Sequence, residues 1–342
     1  MADGEYRTQP GVRPEGGRSG KRMRRRGRHP LLRLLGWIIL TVVIAVVGIA
    51  GYIYIKTDSM LKAMNDGRLP AAAEAHSAGS KPTAMLLLGL DSREQRGTLN
   101  SDVIMVAAFH PQTGRATVVS LPRDAAMKPD GYRQRKANAF YSVAYRADKE
   151  QYSAMVKQWF GDYFGININY LTVVDFRAFE EVIDAMDGLW LDVDMDMCYI
   201  DNADGTNIAL TAGYQQLSGK QALDFVRYRH STSKCEKRTA ESGDAERNAR
   251  QQQVVAAVLD KMISWKGLLS VGNVLDAAGA HVATDMPPSE AKTFMLAHAM
   301  LRSDDIEFMT LAGQWRSPYV VIGNEQLERA RALLQATLAG EH

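Results

Sequence analysis

A 22-residue segment without a charged side chain, residues 34 to 55, constrains the fold of this chain most strongly. Its sequence is LLGWIILTVVIAVVGIAGYIYI. As an α-helix it would be about 33 Å long, which is enough to cross the hydrocarbon core of a bilayer. Trp37 near one end, with Tyr52 and Tyr54 near the other, suits the two membrane interfaces. The segment therefore predicts a single uncleaved transmembrane helix.

The residues before this segment are strongly basic. Residues 1 to 33 hold ten Lys and Arg against three Asp and Glu. Because basic flanks stay in the cytoplasm, we predict that this tail is cytoplasmic and that the rest of the chain lies on the outer side of the membrane. The tail is rich in Gly, Arg and Pro, which predicts disorder. Topology accounts for these charges, so no nucleic-acid binding is expected. A cleaved signal peptide is the alternative, but GYIYIKTDSM offers no good small-residue cleavage site.

The remaining chain divides into a short connection and one domain. Residues 56 to 82 are polar and Ala-rich and are predicted to form a stalk. From 83 to 342, strand patterns such as AMLLLGL (84 to 90), DVIMVAAFHP and RATVVSLP alternate with helical patterns such as QYSAMVKQWFGDYFG and RAFEEVIDAMDG. This alternation predicts a single α/β domain with a mixed central β-sheet flanked by helices.

Two carboxylates occur at strand ends in LGLDSREQRGTLNSDVIMV. Asp91 follows one predicted strand and Asp102 precedes the next, and α/β folds bind ligands at such ends. Together they could hold a hard divalent cation, Mg²⁺ or Mn²⁺, through oxygen ligands. The alternative is that each aspartate caps a turn, as Asp often does.

Arginines are concentrated between residues 224 and 253, DFVRYRHSTSKCEKRTAESGDAERNARQQQ. If residues 226 to 230 are extended, Arg227 and Arg229 project from one face and Tyr228 points into the core. Two guanidinium groups placed in this way suit phosphate oxygens, which accept bidentate hydrogen bonds. His230 follows the pair and is a candidate base, with a structural role as the alternative.

A predicted helix from residue 245 supplies a second cationic group. Arg247 and Gln251 share a face, with Arg250 beside them, and Asp244 is placed to cap the helix. Cations are unfavourable at a helix start unless an anion is near, and a helix start itself binds anions. With Arg123, which follows a third strand in VVSLPRD, these residues predict a pyrophosphate site with a bound cation. Surface ion pairs explain one or two of the arginines, but not the set.

Other catalytic and redox features are few. No P-loop, dinucleotide fingerprint or nucleophile elbow occurs in the sequence. Cys198 and Cys235 are the two cysteines, and their spacing does not predict a zinc site. A disulfide between them is permitted outside the membrane, and two free thiols are an equal alternative.

The ordered series LLLGLDSR, NSDVIMV, VVSLPRD, KANAFYS, YLTVVDFRAFEEVIDAMDGLWLDV, LTAGYQQLSGKQALDFVRYRH and GDAERNARQQQ resembles the LytR-CpsA-Psr family over residues 82 to 265. The resemblance implies an Mg²⁺-assisted phosphotransferase, with a cytoplasmic tail, one anchor and an extracytoplasmic domain. Such enzymes move a glycopolymer, such as teichoic acid or capsule, from a polyprenyl-pyrophosphate carrier to a sugar hydroxyl of peptidoglycan, forming a phosphodiester.

The resemblance also implies roles for individual residues. Metal-associated aspartates are expected at Asp91 and Asp102, either of which would be the catalytic base. The expected pyrophosphate-binding residues are Arg123, which is also catalytic, and Arg227, Arg229, Arg247, Gln251, Arg250 and Lys136. The expected supporting residues are Asp124, Asn138 and Asp244.

Three other functions are open at this point. One is a pyrophosphatase that cleaves the lipid-linked glycan with water. Another is a non-catalytic protein that binds or senses lipid-linked polymer. The third, transcriptional control, requires the folded domain to be cytoplasmic, contrary to the predicted topology.

Overall fold

Alternating strands and helices of the chain assemble around one mixed sheet. The computed structural model describes residues 51–72, 76–90, 99–202, 205–263 and 265–341. The predicted basic tail, residues 34 to 50 of the predicted anchor, and Asp91 lie outside these ranges. Within them, no helix combines the length and the apolar character needed to span a bilayer.

Fourteen strands occur in the described residues. In chain order they are β1 (Thr83–Leu90), β2 (Ser101–His110), β3 (Arg115–Ser120), β4 (Ala126–Met127), β5 (Arg135–Lys136), β6 (Tyr170–Asp175), β7 (Leu189–Val193), β8 (Met197–Asp201), β9 (Thr206–Leu210), β10 (Gly213–Leu217), β11 (Val282–Thr284), β12 (Ile306–Thr310), β13 (Gly313–Arg316) and β14 (Tyr319–Ile322). The central sheet has the order β11-β6-β1-β2-β3-β12. Its β1–β6 and β3–β12 pairs are parallel and its other pairs antiparallel, which confirms the predicted mixed sheet.

The helices flank this sheet. Within the described residues they are α1 (51–64), α2 (Phe140–Ala147), α3 (Tyr152–Phe164), α4 (Phe176–Ala185), α5 (Gly219–Arg227), α6 (Asp244–Ile263), α7 (Trp265–His281), α8 (Pro288–Ala297) and α9 (Asn324–Ala339). Local sequence explains several of their ends. Gly165 ends α3 in the left-handed conformation, and Ser218 caps α5 in a capping box with Gln221.

Strand β1 shows why its sequence is almost continuously apolar. Leu86 and Leu88 pack into one core cluster with Phe140 of α2 and Phe160 of α3, whereas Met85 packs on the other face of the sheet in a separate cluster. Side chains alternate between faces along a strand, and both faces of β1 are covered. The sheet is therefore the middle layer of the domain.

A second body of structure is built on the ends of the central strands. Helices α4, α5 and α6 share a buried cluster with the two-stranded ribbons β7–β10 and β8–β9. At Gly219, where α5 begins against α4, an added Cβ would collide with the carbonyl oxygen of Glu180. Glycine is therefore required for this close approach, which fixes the direction of α5.

One part of the chain differs from the sequence expectation. Residues 226 to 230 are not an extended strand, because α5 continues to Arg227. In the predicted stalk, the described residues pack against the domain: Met60 and Leu61 are buried, and Lys56 forms an ion pair of 2.6 Å with Asp276.

Candidate active site

A cavity of about 300 Å³ opens where the central sheet meets the second body. Its floor comes from the start of β2 and from the residues after β3, and α4 begins directly after β6 at the same edge. Ribbon β8–β9, the end of α5 and the start of α6 close the other sides. This is the kind of strand-end crevice in which open α/β sheets bind ligands.

Six of the predicted metal- and pyrophosphate-binding residues line this cavity. They are Asp102, Arg123, Arg227, Arg229, Arg247 and Gln251. Four arginines thus surround one space, and Asp102 is the one carboxylate among the described lining residues. The cavity therefore favours a multiply charged anion over a neutral ligand.

Arg123 lies between two carboxylates. Its Nη1 donates to Asp102 at 2.5 Å, and its Nε is 3.9 Å from the carboxylate of Asp124. Lys136 pairs with Asp124 at 2.9 Å, and the Asn138 backbone N–H donates to the carbonyl oxygen of Arg123 at 3.0 Å. Asp124, Lys136 and Asn138 do not line the cavity in the described structure, and they instead hold Arg123 in place.

The pair Arg227 and Arg229 reaches the cavity by a different backbone path from the one predicted. Arg227 is the last residue of α5, and Tyr228 turns the chain with φ −57° and ψ 134°. The Tyr228 ring is buried, and its hydroxyl group donates to the carbonyl oxygen of Ala240 at 2.8 Å. The Arg227 guanidinium lies 5.2 Å from the ring centre of Phe176, a cation–π contact. The buried Tyr228 therefore anchors the turn, and the arginines on either side of it both line the cavity.

Helix α6 contributes its first turns to the site. Arg247 and Gln251 are four residues apart and both line the cavity, as the helical spacing predicts. The side chain of Asp244, the predicted cap, lies outside the described part of the structure. The cavity therefore meets the helix at its amino-terminal end, where backbone dipoles favour an anion.

Arg250 is placed differently from the expectation for a phosphate ligand. Its side chain is 3% exposed, and it forms two 2.8 Å hydrogen bonds with the carboxylate of Asp194. Its Nη1 also faces the carbonyl oxygen of Tyr228 at 3.4 Å. Arg250 does not line the cavity. It instead secures the backbone between Arg227 and Arg229.

The rim of the cavity is cross-linked. Cys198 on β8 and Cys235 form a disulfide with Cα atoms 6.0 Å apart, which decides the alternative left open by the sequence. Beside it, Thr232 exchanges two 3.1 Å hydrogen bonds with the backbone of Ile200. Tyr199, which follows Cys198, and His230, which follows Arg229, both line the cavity, and their ring centres are 5.8 Å apart. The loop that carries Arg229 and His230 is thereby fixed to the β8–β9 ribbon.

The predicted metal site is represented by one of its two aspartates, since Asp91 lies outside the described residues. Within the described ranges, no three His, Cys, Asp or Glu side chains cluster as metal ligands. Mg²⁺ is commonly held by one or two carboxylates together with substrate phosphate oxygens, so it does not need such a cluster. Asp102, a cavity-lining carboxylate among arginines, fits that mode of binding.

Comparison with known proteins places the chain in a family. The model of the LytR_cpsA_psr family matches residues 49–336. The chain is 30% identical over 264 residues to the polyisoprenyl-teichoic acid–peptidoglycan teichoic acid transferase TagU of Bacillus mycoides, covering 74% of this chain and 79% of that protein. It is 26% identical over 293 residues to TagV of Bacillus subtilis, covering 83% and 71% of the two chains, and TagV is named as the same kind of transferase.

Solved structures show the same fold. The structure of B. subtilis TagV aligns with a TM-score of 0.59 at 24% identity, covering 76% of this chain and 98% of that one. A structure of TagT bound to LI-WTA aligns with a TM-score of 0.57 at 22% identity, covering 80% and 98%. The match to the family model spans most of the described domain. The chain therefore belongs to the LytR-CpsA-Psr family, as the ordered sequence motifs indicate.

Proposed function

We infer that this chain is a membrane-anchored phosphotransferase that moves a glycopolymer from a polyprenyl-pyrophosphate carrier to a sugar hydroxyl of peptidoglycan. The observation that carries this proposal is the convergence of four arginines with Asp102 in one cavity. Pyrophosphate offers enough oxygens to engage several guanidinium groups. Relatives named as polyisoprenyl-teichoic acid–peptidoglycan transferases support the donor and acceptor classes.

The lining of the cavity also suits a lipid carrier. Apolar side chains share its lining with the arginines: Val103, Ile104, Leu121, Phe176, Ile208, Leu223 and Val226. A pyrophosphate bonded to a prenyl chain has a charged head and an apolar tail. Such a donor therefore matches a cavity with both kinds of lining better than a free inorganic anion does.

The arginines stabilise charge as the reaction proceeds. The acceptor hydroxyl oxygen forms a bond to the phosphorus that carries the glycopolymer, and the bond from that phosphorus to the bridging oxygen breaks. Polyprenyl phosphate leaves with the bridging oxygen, which gains negative charge. Arg123, Arg227 and Arg247, held around the cavity, neutralise this charge, and such electrostatic stabilisation is usually a major part of phosphoryl-transfer catalysis.

Carboxylates complete the proposed chemistry. Asp102, or Asp91, accepts the proton of the attacking hydroxyl group. The two aspartates would also hold Mg²⁺ or Mn²⁺, and the bound cation would further neutralise the phosphate oxygens. A carboxylate that ligates the cation is not free to act as a base, so the two aspartates cannot both play both roles at once. One of them therefore takes the role of base, and the other would hold the cation.

The proposed location rests on the sequence and the disulfide. The uncharged segment and its basic flank support one transmembrane helix with a cytoplasmic amino terminus. A bridge between Cys198 and Cys235 supports an oxidising compartment for the domain. A reporter enzyme that is active only outside the cytoplasm should be active when it is fused to the carboxyl terminus. Cytoplasmic reporter activity would revive a regulatory role inside the cell.

Single-arginine variants test the function. In purified full chain supplied with lipid-linked glycan, Mg²⁺ and acceptor glycan, Arg123→Ala and Arg227→Ala should each reduce transfer by about 10²-fold or more. Arg238→Ala is the matched control, because Arg238 is 84% exposed and does not line the cavity. Thermal unfolding of all variants checks that the fold is retained.

The products separate the proposal from its alternatives. Full transfer by Arg123→Ala or Arg227→Ala would contradict the proposed site. Cleavage of the donor at the same rate with and without acceptor would instead show a pyrophosphatase. Donor binding without turnover in the presence of divalent cations would show a binding protein.

A further inference from the structure

Ribbon β7–β10 exposes a pair of aromatic rings outside the cavity. Trp190 and Tyr214 have ring centres 5.4 Å apart and planes 28° from parallel. They remain 53% and 71% exposed. The opposite face of the ribbon carries the buried Leu189, Leu191 and Leu217, which attach it to the domain. The outer rings are therefore not needed to fix the ribbon, and exposed apolar groups placed together in this way are typical of a binding surface.

The surroundings of the two rings are polar and acidic. A hollow of about 440 Å³ adjoins Trp190, and its polar lining residues are Asp187, Gln216, Asp260 and Lys261. Asp192 lies opposite Tyr214 on the same exposed face of the ribbon. Three carboxylates thus stand against one ammonium group. Lys261 is itself engaged, since its Nζ donates to the carbonyl oxygens of Asp187 at 3.1 Å and Gly188 at 2.5 Å.

We propose that this aromatic ribbon, defined by Trp190, Asp192, Tyr214 and Gln216, binds an uncharged glycan strand, and that the strand is the peptidoglycan acceptor. The C–H groups on the face of a sugar ring carry partial positive charge and are attracted to the negative face of an aromatic ring. Carboxylate and amide oxygens accept hydrogen bonds from sugar hydroxyl groups. The negative charge repels polyanionic polymers, so the surface selects the neutral glycan strand over an anionic glycopolymer.

Helix α6 connects this surface to the cavity. Gln251 lines the cavity and Lys261 lines the hollow beside Trp190. They are ten residues apart, which corresponds to about 15 Å along the helix axis. A short oligosaccharide can bridge such a distance, so a strand on the ribbon can present a hydroxyl group at the cavity. The identification of the strand as the acceptor rests on the proposed function, whereas glycan binding by the ribbon does not.

Binding to a neutral oligosaccharide tests the surface without any donor. The probe is a chitin-derived N-acetylglucosamine hexamer, titrated into purified full chain by calorimetry. Trp190→Ala should raise its Kd about tenfold, since one of the two rings is removed. Trp190→Phe should restore much of the binding because a ring returns. Trp315→Ala is the matched control, since Trp315 is 59% exposed on β13, away from the hollow, and it should leave Kd unchanged.

Further measurements decide the identity of the ligand. A poly(glycerol phosphate) oligomer should bind the ribbon more weakly than the hexamer, and stronger binding that depends on Trp190 would overturn the proposal. Absence of hexamer binding by the wild type, or an unchanged Kd in Trp190→Ala, would also overturn it. Arg123→Ala should bind the hexamer with the wild-type Kd, because hexamer binding does not involve the cavity. If the wild type binds the hexamer through Trp190 but transfers no glycopolymer in any assay, the proposed function is contradicted and the glycan-binding surface is not. In the transfer assay, Trp190→Ala should raise the KM for acceptor and leave kcat within about twofold.

Discussion

The pair formed by Arg250 and Asp194 gives a prediction whose magnitude follows from an asymmetry in burial. The Arg250 side chain is 3% exposed, whereas the Asp194 side chain is 40% exposed. Two 2.8 Å hydrogen bonds join them. Replacing Asp194 should therefore lower the free energy of unfolding by a different amount from replacing Arg250.

Asp194→Ala leaves a buried guanidinium without its carboxylate. Its remaining described contacts are the Tyr228 carbonyl oxygen at 3.4 Å and the rings of Phe225 and Tyr228, at 5.5 and 5.8 Å. An uncompensated buried charge typically costs about 3–5 kcal/mol in the free energy of unfolding. Arg250→Met fills a similar volume and leaves Asp194 partly open to water, so its expected cost is about 1–2 kcal/mol. The double variant should recover most of the loss caused by Asp194→Ala.

Thermal unfolding of the full chain in detergent measures these differences. For a domain of this size 1 kcal/mol shifts Tm by about 2–4 °C, so Asp194→Ala should lower Tm by roughly 6–20 °C. Arg250→Met should lower it much less, and the double variant should resemble Arg250→Met. Equal losses in the two single variants, or a larger loss in Arg250→Met, would refute the reasoning that the buried cation dominates the pair.

Two further predictions concern stability. Replacing both cysteines of the Cys198–Cys235 bridge, 37 residues apart, by serine should lower the free energy of unfolding by about 4 kcal/mol, because the unfolded chain is no longer restricted by the closed loop. An unchanged unfolding midpoint under oxidising conditions would contradict this. Burial lowers the pKa of His298 below its usual 6.5, although the hydrogen bond to Phe294 opposes the shift. As pH falls, this histidine is protonated at a higher pH in the unfolded chain than in the folded one. Its contribution to the free energy of unfolding should therefore be constant above about pH 7 and decrease as pH drops below 6.5. In His298→Leu, Tm should depend less on pH between 7.5 and 5.5, and a pH profile identical to that of the wild type would exclude this histidine as the cause.

Local patterns predicted most of the scaffold because they depend on neighbours in the sequence. The apolar run of β1 and the helical spacing in QYSAMVKQWFGDYFG, which forms α3, each depend on residues a few positions apart. The cavity was predictable for a related reason. The start of one strand and the end of its antiparallel neighbour lie at the same edge of a sheet, so Asp102 before β2 and Arg123 after β3 could be expected to converge.

The remaining features depend on partners far away in the chain. Arg250 has the helical spacing of a phosphate ligand, and only its contact with Asp194, 56 positions earlier, assigns it to the core. Asp194 lies among alternating residues of LWLDVDM and carries no local signal. The backbone path of residues 226 to 230 was predicted incorrectly for a similar reason, since the buried Tyr228 makes its hydroxyl contacts with Thr239 and Ala240, more than ten positions later.

The charges of the cavity come from two parts of the chain about a hundred positions apart: β2 with the residues after β3, and the end of α5 with the start of α6. Three of its four arginines, Arg227, Arg229 and Arg247, lie close together in the sequence, whereas Asp102 and Arg123 come from a distant part of the chain and join them only in the folded domain. Under the proposed function, the full set of charges for the donor is therefore assembled only in the native topology, and incompletely folded molecules should bind the donor more weakly.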